Sequence, residues 1–334
     1  MQRRATISAV AQLAGVSTAT VSRVLNGGEL VSELTRQRVR DAVNELNYRP
    51  SGLTQAVFKG RSNTIGLLLA DMRNPYYIDL FDGVSQVARE VGTLPYLALG
   101  NRDETTDRRM LELMDSQRVR GVITTAGTAS DDLVNSMADS GTECVYMARD
   151  PSITHSRLHS VRLDDWAAGR LAWEHLQQIG RLRVLVVTQS EETPTRRDRV
   201  GGLFEAARNG RVELGSDNIF QLDNLTAPSD ELRERIRAGH SDGSIDAIFA
   251  TTGITTLRAY EALSATGLRI PEDIVVIGLD DFAWAGYLAA PLTVIRQPAV
   301  EMGRAAAEII LREPDESQQL KFQPTLIARG STAV

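Results

Sequence analysis

Cysteine and histidine are scarce in this 334-residue chain. One cysteine, Cys144, excludes an internal disulfide framework, and four histidines without a cysteine cluster offer no metal-ligand spacing. We therefore expect no metal and no cofactor. Apolar runs of about 20 residues, the length that spans a bilayer, are missing too. The N-terminus carries two arginines without an apolar stretch behind them, unlike a secretory signal. These absences predict a cytoplasmic protein without a membrane partner.

Catalytic motifs are also missing. The chain has no nucleophile elbow, no phosphate-binding loop, and no base that is paired in sequence with a nucleophile. Acidic and arginine side chains could serve acid–base chemistry, but no motif organises them for it. We predict that the chain is not an enzyme. A hydrophobic fraction of 42% and a charged fraction of 24% indicate a folded chain with more than one domain.

Charge is unevenly distributed. Residues 1–62 hold nine Lys or Arg and four acids, a net charge of +5. The remainder of the chain holds 28 Lys or Arg and 39 acids, a net charge of −11. A basic head on an acidic body suits a module that approaches a polyanion while the body stays away from it.

Three short helices are predicted in the basic segment. Apolar residues recur at helical spacing behind Thr6, in the order Ile7, Val10, Ala11 and Ala14. Gly15 can end this helix, and Ser17 can cap a second one, roughly Thr18 to Leu25. Ser32 can cap a third, from about Glu33 to Asn47. Two helices joined by a tight glycine turn, with a third closing the core, form the helix-turn-helix plan.

The predicted outward face of the second helix carries small polar residues and one arginine, types that reach base edges: Thr18, Ala19, Ser22 and Arg23. The segment TISAVAQLAGVSTATVSRVLNG, with VSELTRQRV and LNYRP after it, resembles the DNA-binding headpiece of the lactose-repressor (LacI/GalR) family. This resemblance implies that those four residues read bases. It also implies phosphate contacts from six further residues: Thr6, Ser17, Thr20, Asn26, Ser32 and Tyr48.

In that family, the segment after the headpiece is a hinge helix that pairs with its dimer mate and wedges a leucine into the minor groove. Here Thr54 and Val57 take the minor-groove positions, Val57 where the leucine usually stands. Gly52 lies in the first turn, where glycine costs a helix roughly 1 kcal/mol relative to alanine. We therefore predict a hinge that is disordered without DNA.

Short apolar strands alternate with amphipathic helices from residue 65 onward, which predicts parallel sheets with helices on both faces. The expected strands are Ile65–Ala70, Leu94–Leu99, Gly121–Thr125, Cys144–Met147, Arg183–Thr188, Asn218–Leu222, Ala247–Ala250 and Ile274–Leu279, then Thr293–Gln297 and Thr325–Ala328. We expect a headpiece (1–50), a hinge (51–61) and a two-lobed body (62–334). The N-lobe would comprise about 62–163 and 293–322, and the C-lobe 164–292 and 323–334.

Motifs such as DMRNPYY, VRLDDWAAGRLAWEHL, TRRDRVGGL and IPEDIVVIGLDD extend the resemblance over essentially the whole chain. It implies a periplasmic-binding-protein (type I) body whose lobes close on a small effector. Ligands bind such folds at the carboxyl ends of strands. The expected effector contacts are Tyr76, Tyr77, Asp164, Thr195, Arg199, Thr251, Asp280 and Gln297. Among them, Arg199 can make two parallel hydrogen bonds to a sugar hydroxyl or carboxylate.

Two departures from the family pattern bear on the effector. Thr251-Thr252 stands where sugar-responsive members carry Asn-Asp, and Leu225 stands where many place an aromatic stacking platform. Both departures count against an ordinary pyranose and more strongly against a purine. The effector, the operator, the regulated genes and the direction of the response do not follow from the sequence.

The sequence thus predicts a transcriptional repressor that binds a palindromic operator as a homodimer, at the nucleoid, under the control of an effector. The alternative is a solute-binding protein with the same two-lobed body and no regulatory role. The basic headpiece, which transport would not need, counts against it.

Overall fold

The computed structural model describes residues 5–25, 31–48, 61–72, 74–100, 103–189 and 193–333. Backbone contacts separate two units, Met1–Asn63 (the headpiece) and Thr64–Val334 (the body). The first unit is helical, and the second alternates strands with helices. The predicted fold class, an all-α headpiece and an α/β two-lobed body, is confirmed.

The headpiece contains α1 (Ile7–Ala14), α2 (Thr18–Leu25) and α3 (Glu33–Glu45). Thr6 caps α1 by accepting a hydrogen bond from the Ala9 N–H at 3.2 Å. Gly15 ends α1 with a φ of 64°, a left-handed conformation that glycine adopts without strain. The third helix ends earlier than expected because Asn47 also has a positive φ, of 45°.

In the described part of the headpiece, eight buried side chains form the core: Val10, Ala11, Ala14, Val21, Val24, Val39, Ala42 and Tyr48. They come from all three helices and from Tyr48, which lies after α3. The helical spacing of apolar residues in the sequence therefore matches the faces that pack together. The apolar face expected for α1 therefore points inward as predicted.

The N-lobe is a six-stranded parallel sheet in the order β11-β5-β4-β3-β1-β2. Its elements are β1 (Thr64–Leu69), α4 (Pro75–Glu90), β2 (Leu94–Leu99), α5 (Glu104–Ser116), β3 (Gly121–Thr124), α6 (Asp131–Asp139), β4 (Glu143–Met147), β5 (Leu158–Leu163), α11 (Ala299–Arg312) and β11 (Gln319–Phe322). Helices pack on both faces of this sheet, as strand–helix alternation predicted.

The C-lobe sheet has the order β12-β10-β9-β8-β6-β7, and only β12 is antiparallel to its neighbour. Its elements are α7 (Asp165–Gln178), β6 (Val184–Gln189), α8 (Pro194–Asn209), β7 (Ile219–Leu222), α9 (Asp230–Ser241), β8 (Ala247–Ala250), α10 (Gly253–Ser264), β9 (Val275–Leu279), β10 (Thr293–Arg296) and β12 (Thr325–Ile327). Trp173 and Phe249 are fully buried in this lobe.

The chain crosses between the lobes three times, and one crossing differs from the expectation. Because β10 pairs with β9, Thr293–Arg296 belongs to the C-lobe and not to the N-lobe. The crossing lies after this strand, at Gln297 and Pro298. Gln297 is therefore a connecting residue between the lobes and not part of a strand.

Strands β5 and β11 were not predicted. The β5 sequence LHSVRL carries polar residues that the structure buries with partners. His159 Nε2 lies 2.8 Å from Glu143 Oε2, and the Ser160 hydroxyl donates to Asp150 at 2.6 Å. These tertiary partners, distant in sequence, permit polar residues in a central strand. None of the helices in the described part of the chain has the length and apolar content that a membrane span needs.

Candidate DNA-binding face and effector cleft

The start of α2 carries the candidate base-reading residues. Thr18, Ala19 and Arg23 are exposed there, as expected. Ser22 is different: it is only 9% exposed and lies on the inward side of the helix. The outward placement predicted for Ser22 is wrong, because Val21, Ser22 and Val24 all face the packed interior.

The candidate phosphate-binding hydroxyls belong to the ends of helices. The Ser17 hydroxyl accepts from the Thr20 N–H at 3.1 Å and lies 2.9 Å from the Thr20 hydroxyl. Ser32 caps α3 by accepting from the Thr35 N–H at 3.4 Å. Each of these oxygens thus accepts from a backbone N–H at the start of a helix, where the N–H groups have no acceptor within the helix.

Tyr48 packs in the headpiece core and is 7% exposed. Asn26, Thr54 and Val57 lie outside the described residues. Their predicted contacts with DNA, like those of Thr6, Ser17, Thr20, Ser32 and Tyr48, remain predictions.

Arg199, on α8, is 6% exposed and is held from two sides within the C-lobe. Its Nε donates to Asp165 Oδ1 at 2.7 Å, and its Nη1 donates to the Thr251 carbonyl at 2.7 Å. Helices α7 and α8 approach closely here, since a Cβ on Gly169 would lie 1.9 Å from the Arg199 carbonyl oxygen. Burial raises the pKa of the Asp165 carboxyl, and the guanidinium of Arg199 offsets part of that increase.

Thr251 follows β8 but does not present its side chain to solvent. It is fully buried, and its hydroxyl donates to the Thr188 hydroxyl at 2.9 Å. Its carbonyl holds Arg199 instead. Thr251 thus supports the site through Arg199, a contact that the sequence did not predict.

Asp280 joins the two lobes. Its carboxylate accepts from the Asn74 amide of the N-lobe at 3.1 Å and from the Gln297 amide at 2.7 Å. The residue is 4% exposed and has a φ of 69°, an uncommon conformation for a residue other than glycine. Burial raises the pKa of the Asp280 carboxyl, although the bonds from Gln297 and Asn74 and the charge of Arg199 lower it.

Asn74 was missed by the sequence reasoning. It precedes Pro75 and caps α4, since its Oδ1 accepts from the Tyr76 N–H at 3.0 Å. The sequence contains the signal for this cap, because Asn followed by Pro is typical of the start of a helix. The bond to Asp280 was not readable, because the two residues are far apart in sequence.

The two predicted tyrosines lie at the start of α4. Tyr76 is 9% exposed, and its ring meets that of Tyr77 edge to face at a centroid distance of 5.1 Å. Burial raises the pKa of the Tyr76 hydroxyl, and the nearby Tyr77 and Asp280 raise it further. Tyr76 therefore stays a neutral hydroxyl at the cleft.

Asp164 caps α7, with its Oδ1 accepting from the Ala167 N–H at 3.0 Å and its Oδ2 lying 3.0 Å from Lys321 Nζ. Its pKa lies below the usual value: partial burial raises it, but these bonds together outweigh the burial. The Thr195 hydroxyl lies 3.1 Å from that of Thr193.

Two cavities border the cleft. One, of about 380 Å³, is lined by residues of both lobes: Thr128, Ala148, Arg149, Asp150, Ser152, Arg162, Leu163, Asp164, Asp165, Trp166, Pro194, Thr195, Arg197, Asp198 and Lys321. The other, of about 230 Å³, is lined by Tyr76, Asp280 and Gln297 among others. Five of the eight predicted effector residues line these cavities, Asp164 and Thr195 the larger one and Tyr76, Asp280 and Gln297 the smaller one. Tyr77, Arg199 and Thr251 line neither, although Arg199 binds Asp165 of the larger cavity.

A helix-turn-helix unit is typical of DNA-binding proteins, and a two-lobed body with polar side chains in its cleft is typical of ligand-binding proteins. This chain combines the two. Residues 62–329 match the family of "periplasmic binding proteins and sugar binding domain of LacI family", and residues 6–51 match "bacterial regulatory proteins, lacI family". The chain belongs to the LacI family. It is a transcriptional regulator of that family, with an effector-binding body.

Relatives and solved structures agree with this assignment. The HTH-type transcriptional repressor PurR of Aliivibrio fischeri is 29% identical, with 98% of each chain covered. A structure of the transcriptional regulator CelR in complex with cellobiose has a TM-score of 0.70 at 29% identity, covering 98% of this chain and 100% of that one. A lac repressor dimer bound to operator and the anti-inducer ONPF has a TM-score of 0.82 at 21% identity, covering 99% and 100%, and shares the fold.

Proposed function

We propose that the chain is a repressor that binds a palindromic operator as a homodimer, and that an effector in the interlobe cleft sets its operator affinity. The observation that carries the effector part of this proposal is the bonding of Asp280 to Asn74 across the cleft. It gives the body a polar contact between lobes that a ligand can replace. The protein acts by binding and not by catalysis, in the cytoplasm and at the nucleoid.

The DNA-binding part of the proposal rests on the headpiece. Thr18 and Ala19 begin α2, the helix that occupies the major groove in a helix-turn-helix, and Arg23 is exposed one turn later. An arginine can make two hydrogen bonds to guanine, the commonest specific contact in protein–DNA complexes. Since Ser22 is buried, we assign base reading to Thr18, Ala19 and Arg23 only.

The effector part rests on the buried polar groups of the body. Thr195 and Asp164 line the larger cavity, and Tyr76, Asp280 and Gln297 line the smaller one. A ligand hydroxyl that took the place of the Asn74 amide on Asp280 would change how the lobes close. Binding of effector and of operator would then be reciprocally coupled, typically by about 1–3 kcal/mol. That CelR has been solved with cellobiose supports a sugar or related metabolite as the effector here.

The test begins with selection of a specific operator from random duplex DNA by the full-length protein. We expect a palindromic site, since two headpieces related by a two-fold axis read two equal half-sites. Arg23→Ala should weaken binding to this site by about 10- to 100-fold, because loss of a good base contact costs about 1–3 kcal/mol. Binding to random DNA should change little.

Arg40→Ala is the matched control, since Arg40 is an exposed arginine of α3 that is not assigned to bases. Loss of Arg40 should weaken binding to the selected operator and to random DNA by the same factor. An equal loss of both affinities in the Arg23 variant would contradict base reading, and the absence of any selected sequence would overturn the regulatory function.

A further inference from the structure

Arg149 follows β4 and lines the larger cavity, and its side chain is 14% exposed. A guanidinium beside a cavity is well suited to bind a carboxylate or a phosphate of a ligand. We propose that Arg149 is instead a positioning residue, which fixes the N-lobe wall of the cavity and donates no hydrogen bond to the effector. This inference rests on the proposed function, because it takes the cavity as part of the effector cleft.

All five N–H groups of the Arg149 side chain have acceptors within the N-lobe. Nε donates to the Ala126 carbonyl at 3.1 Å, and Nη2 donates to the Gly127 carbonyl at 3.2 Å and to Asp131 Oδ1. Nη1 donates to Asp131 Oδ2 and to the Asp150 carbonyl, both at 3.4 Å. A ligand could therefore accept a hydrogen bond from Arg149 only if one of these bonds broke.

One face of the guanidinium is covered by an aromatic ring. Cζ of Arg149 lies 4.1 Å from the centroid of the Tyr146 ring, an arrangement in which the cation is attracted to the ring face. The Tyr146 hydroxyl donates to Asp131 Oδ1 at 3.1 Å, so the ring and the carboxylate hold the same guanidinium. Burial raises the pKa of the Tyr146 hydroxyl, and the charge of Asp131 raises it further. This hydroxyl therefore stays neutral and remains a donor.

These bonds join two loops that border the cavity. The β3 loop (residues 125–130) follows β3, and the β4 loop (residues 148–152) follows β4. Arg149 belongs to the β4 loop and binds two carbonyls of the β3 loop, as well as Asp131 at the start of α6. The shape of the N-lobe wall therefore depends on Arg149. The wall residues that these two loops supply are Thr128, Ala148, Arg149, Asp150 and Ser152.

The backbone directly before Arg149 has an uncommon conformation. Ala148 has a φ of 72°, in the left-handed region that residues other than glycine rarely adopt. Such a conformation persists where the surrounding contacts fix it, and it occurs most often at functional sites. The bonds of the Arg149 side chain supply contacts of this kind to the β4 loop.

Arg162, on β5, is a second cation of the same cavity and provides a matched control. Its Nε lies 2.8 Å from Asp150 Oδ1, so its ion pair is with the β4 loop. Among the described residues, it makes no hydrogen bond to the β3 loop. Loss of Arg162 should therefore remove a charge from the cavity without separating the two loops.

The first experiment measures amide hydrogen exchange by NMR in the full-length protein, without DNA or effector. The informative N–H groups belong to Ala126 and Ser130 of the β3 loop and to Ala148 of the β4 loop, because each has an acceptor. Arg149→Met should speed their exchange by about 10- to 100-fold, since hydrogen bonds of a charged group are lost. Arg162→Met should change exchange in the β4 loop only.

Arg149→Lys separates geometry from charge. Lysine keeps the positive charge next to Asp131, but its single ammonium group cannot reproduce the planar fork of five donors. We therefore expect Arg149→Lys to speed exchange in both loops nearly as much as Arg149→Met does. If the charge alone fixed the loops, lysine would restore the exchange rates of the wild type.

The second experiment uses the wild-type protein, so it does not depend on the folding of a variant. NMR of the arginine Nε–H groups should show slow exchange with water for Arg149 and fast exchange for Arg197. Arg197 lines the same cavity, and its side chain is 63% exposed. Addition of sodium gluconate or inorganic phosphate, two anionic probes, should leave the Arg149 resonance unshifted.

A shift of the Arg149 resonance with either anion would overturn the proposal, and so would exchange as fast as that of Arg197. The proposal also fails if Arg149→Lys protects both loops like the wild type, or if Arg149→Met affects the β4 loop alone. These measurements need neither operator nor effector. Their outcome is therefore separate from failure of the proposed function, which is measured as operator binding.

Discussion

The Asn74 amide of the N-lobe donates a hydrogen bond to the Asp280 carboxylate of the C-lobe, at a distance of 3.1 Å. The same carboxylate accepts from Gln297, at a crossing between the lobes. One buried acid thus joins both lobes and one of their connections. We expect a ligand that competes for this acid to alter the relation between the lobes.

Asn74→Asp should destabilise the body by about 1–3 kcal/mol at pH 7, because it removes a donor and places a second carboxylate against Asp280. Asp caps helices as well as Asn does, so the cap of α4 is kept. Urea unfolding at pH 7 measures the loss, and part of the stability should return near pH 4 as one carboxyl of the pair binds a proton.

Asn224→Asp is a matched control for that variant. Asn224 is exposed and accepts from the Thr226 N–H at 2.8 Å, a role that Asp also fills. It should change stability little at either pH. If both variants lost the same free energy of unfolding, the contact between Asn74 and Asp280 would contribute nothing to the stability of the body.

Asp280→Asn should change how stability depends on pH. Burial raises the pKa of Asp280 in the folded protein, so the folded state holds this proton more tightly than the unfolded state does. The wild type therefore loses stability relative to the variant as pH rises from about 4. Thermal unfolding of both proteins from pH 4 to pH 7 measures this difference, and Asn tolerates the positive φ of position 280.

Asp273→Asn should change the pH dependence of stability in the direction opposite to Asp280→Asn. Hydrogen bonds from Arg269 hold the pKa of the Asp273 carboxyl well below its usual range. Its contribution to stability is therefore present above the unfolded pKa and is lost as pH falls. Parallel pH profiles for the two variants would contradict a raised pKa at Asp280.

Arg199→Ala should destabilise the body by about 3–5 kcal/mol, because it leaves the buried Asp165 carboxylate without its cation. A second change, Asp165→Asn, should recover part of this loss by removing the uncompensated charge. Chemical denaturation of the single and double variants measures both effects. Arg208→Ala, at an exposed arginine of the same helix, is the control and should cost little. A double variant no more stable than Arg199→Ala would refute the pairing.

Ser32→Asp should separate capping from phosphate binding. Asp caps a helix about as well as Ser, so α3 and the headpiece should remain stable, whereas Ser32→Ala should cost about 1 kcal/mol. If Ser32 approaches a phosphate as we expect, the new negative charge should weaken binding to operator and random DNA alike. Gel-shift titrations and headpiece melting measure the two properties. Unchanged DNA binding by Ser32→Asp would leave Ser32 a cap only.

Local sequence determined much of the headpiece. Thr6, Gly15 and Ser32 act on backbone groups within a few residues, so their effect on helix ends is readable without the fold. The alternation of strands and helices likewise fixed the class of the body, because apolar periodicity follows directly from which faces are buried. The effector contacts expected on α8 and after the strand ending at Leu279 came instead from the family resemblance.

Tertiary structure alone decided the remaining features. Ser22 is buried because α2 packs on neighbouring helices at that angle, and β5 is a strand because partners distant in sequence satisfy His159 and Ser160. The bond between Asn74 and Asp280 and the bonds of Arg149 to Ala126 and Gly127 depend on how separate elements meet. Such contacts leave no periodic signal in the sequence, since each joins two elements whose local patterns are independent of each other.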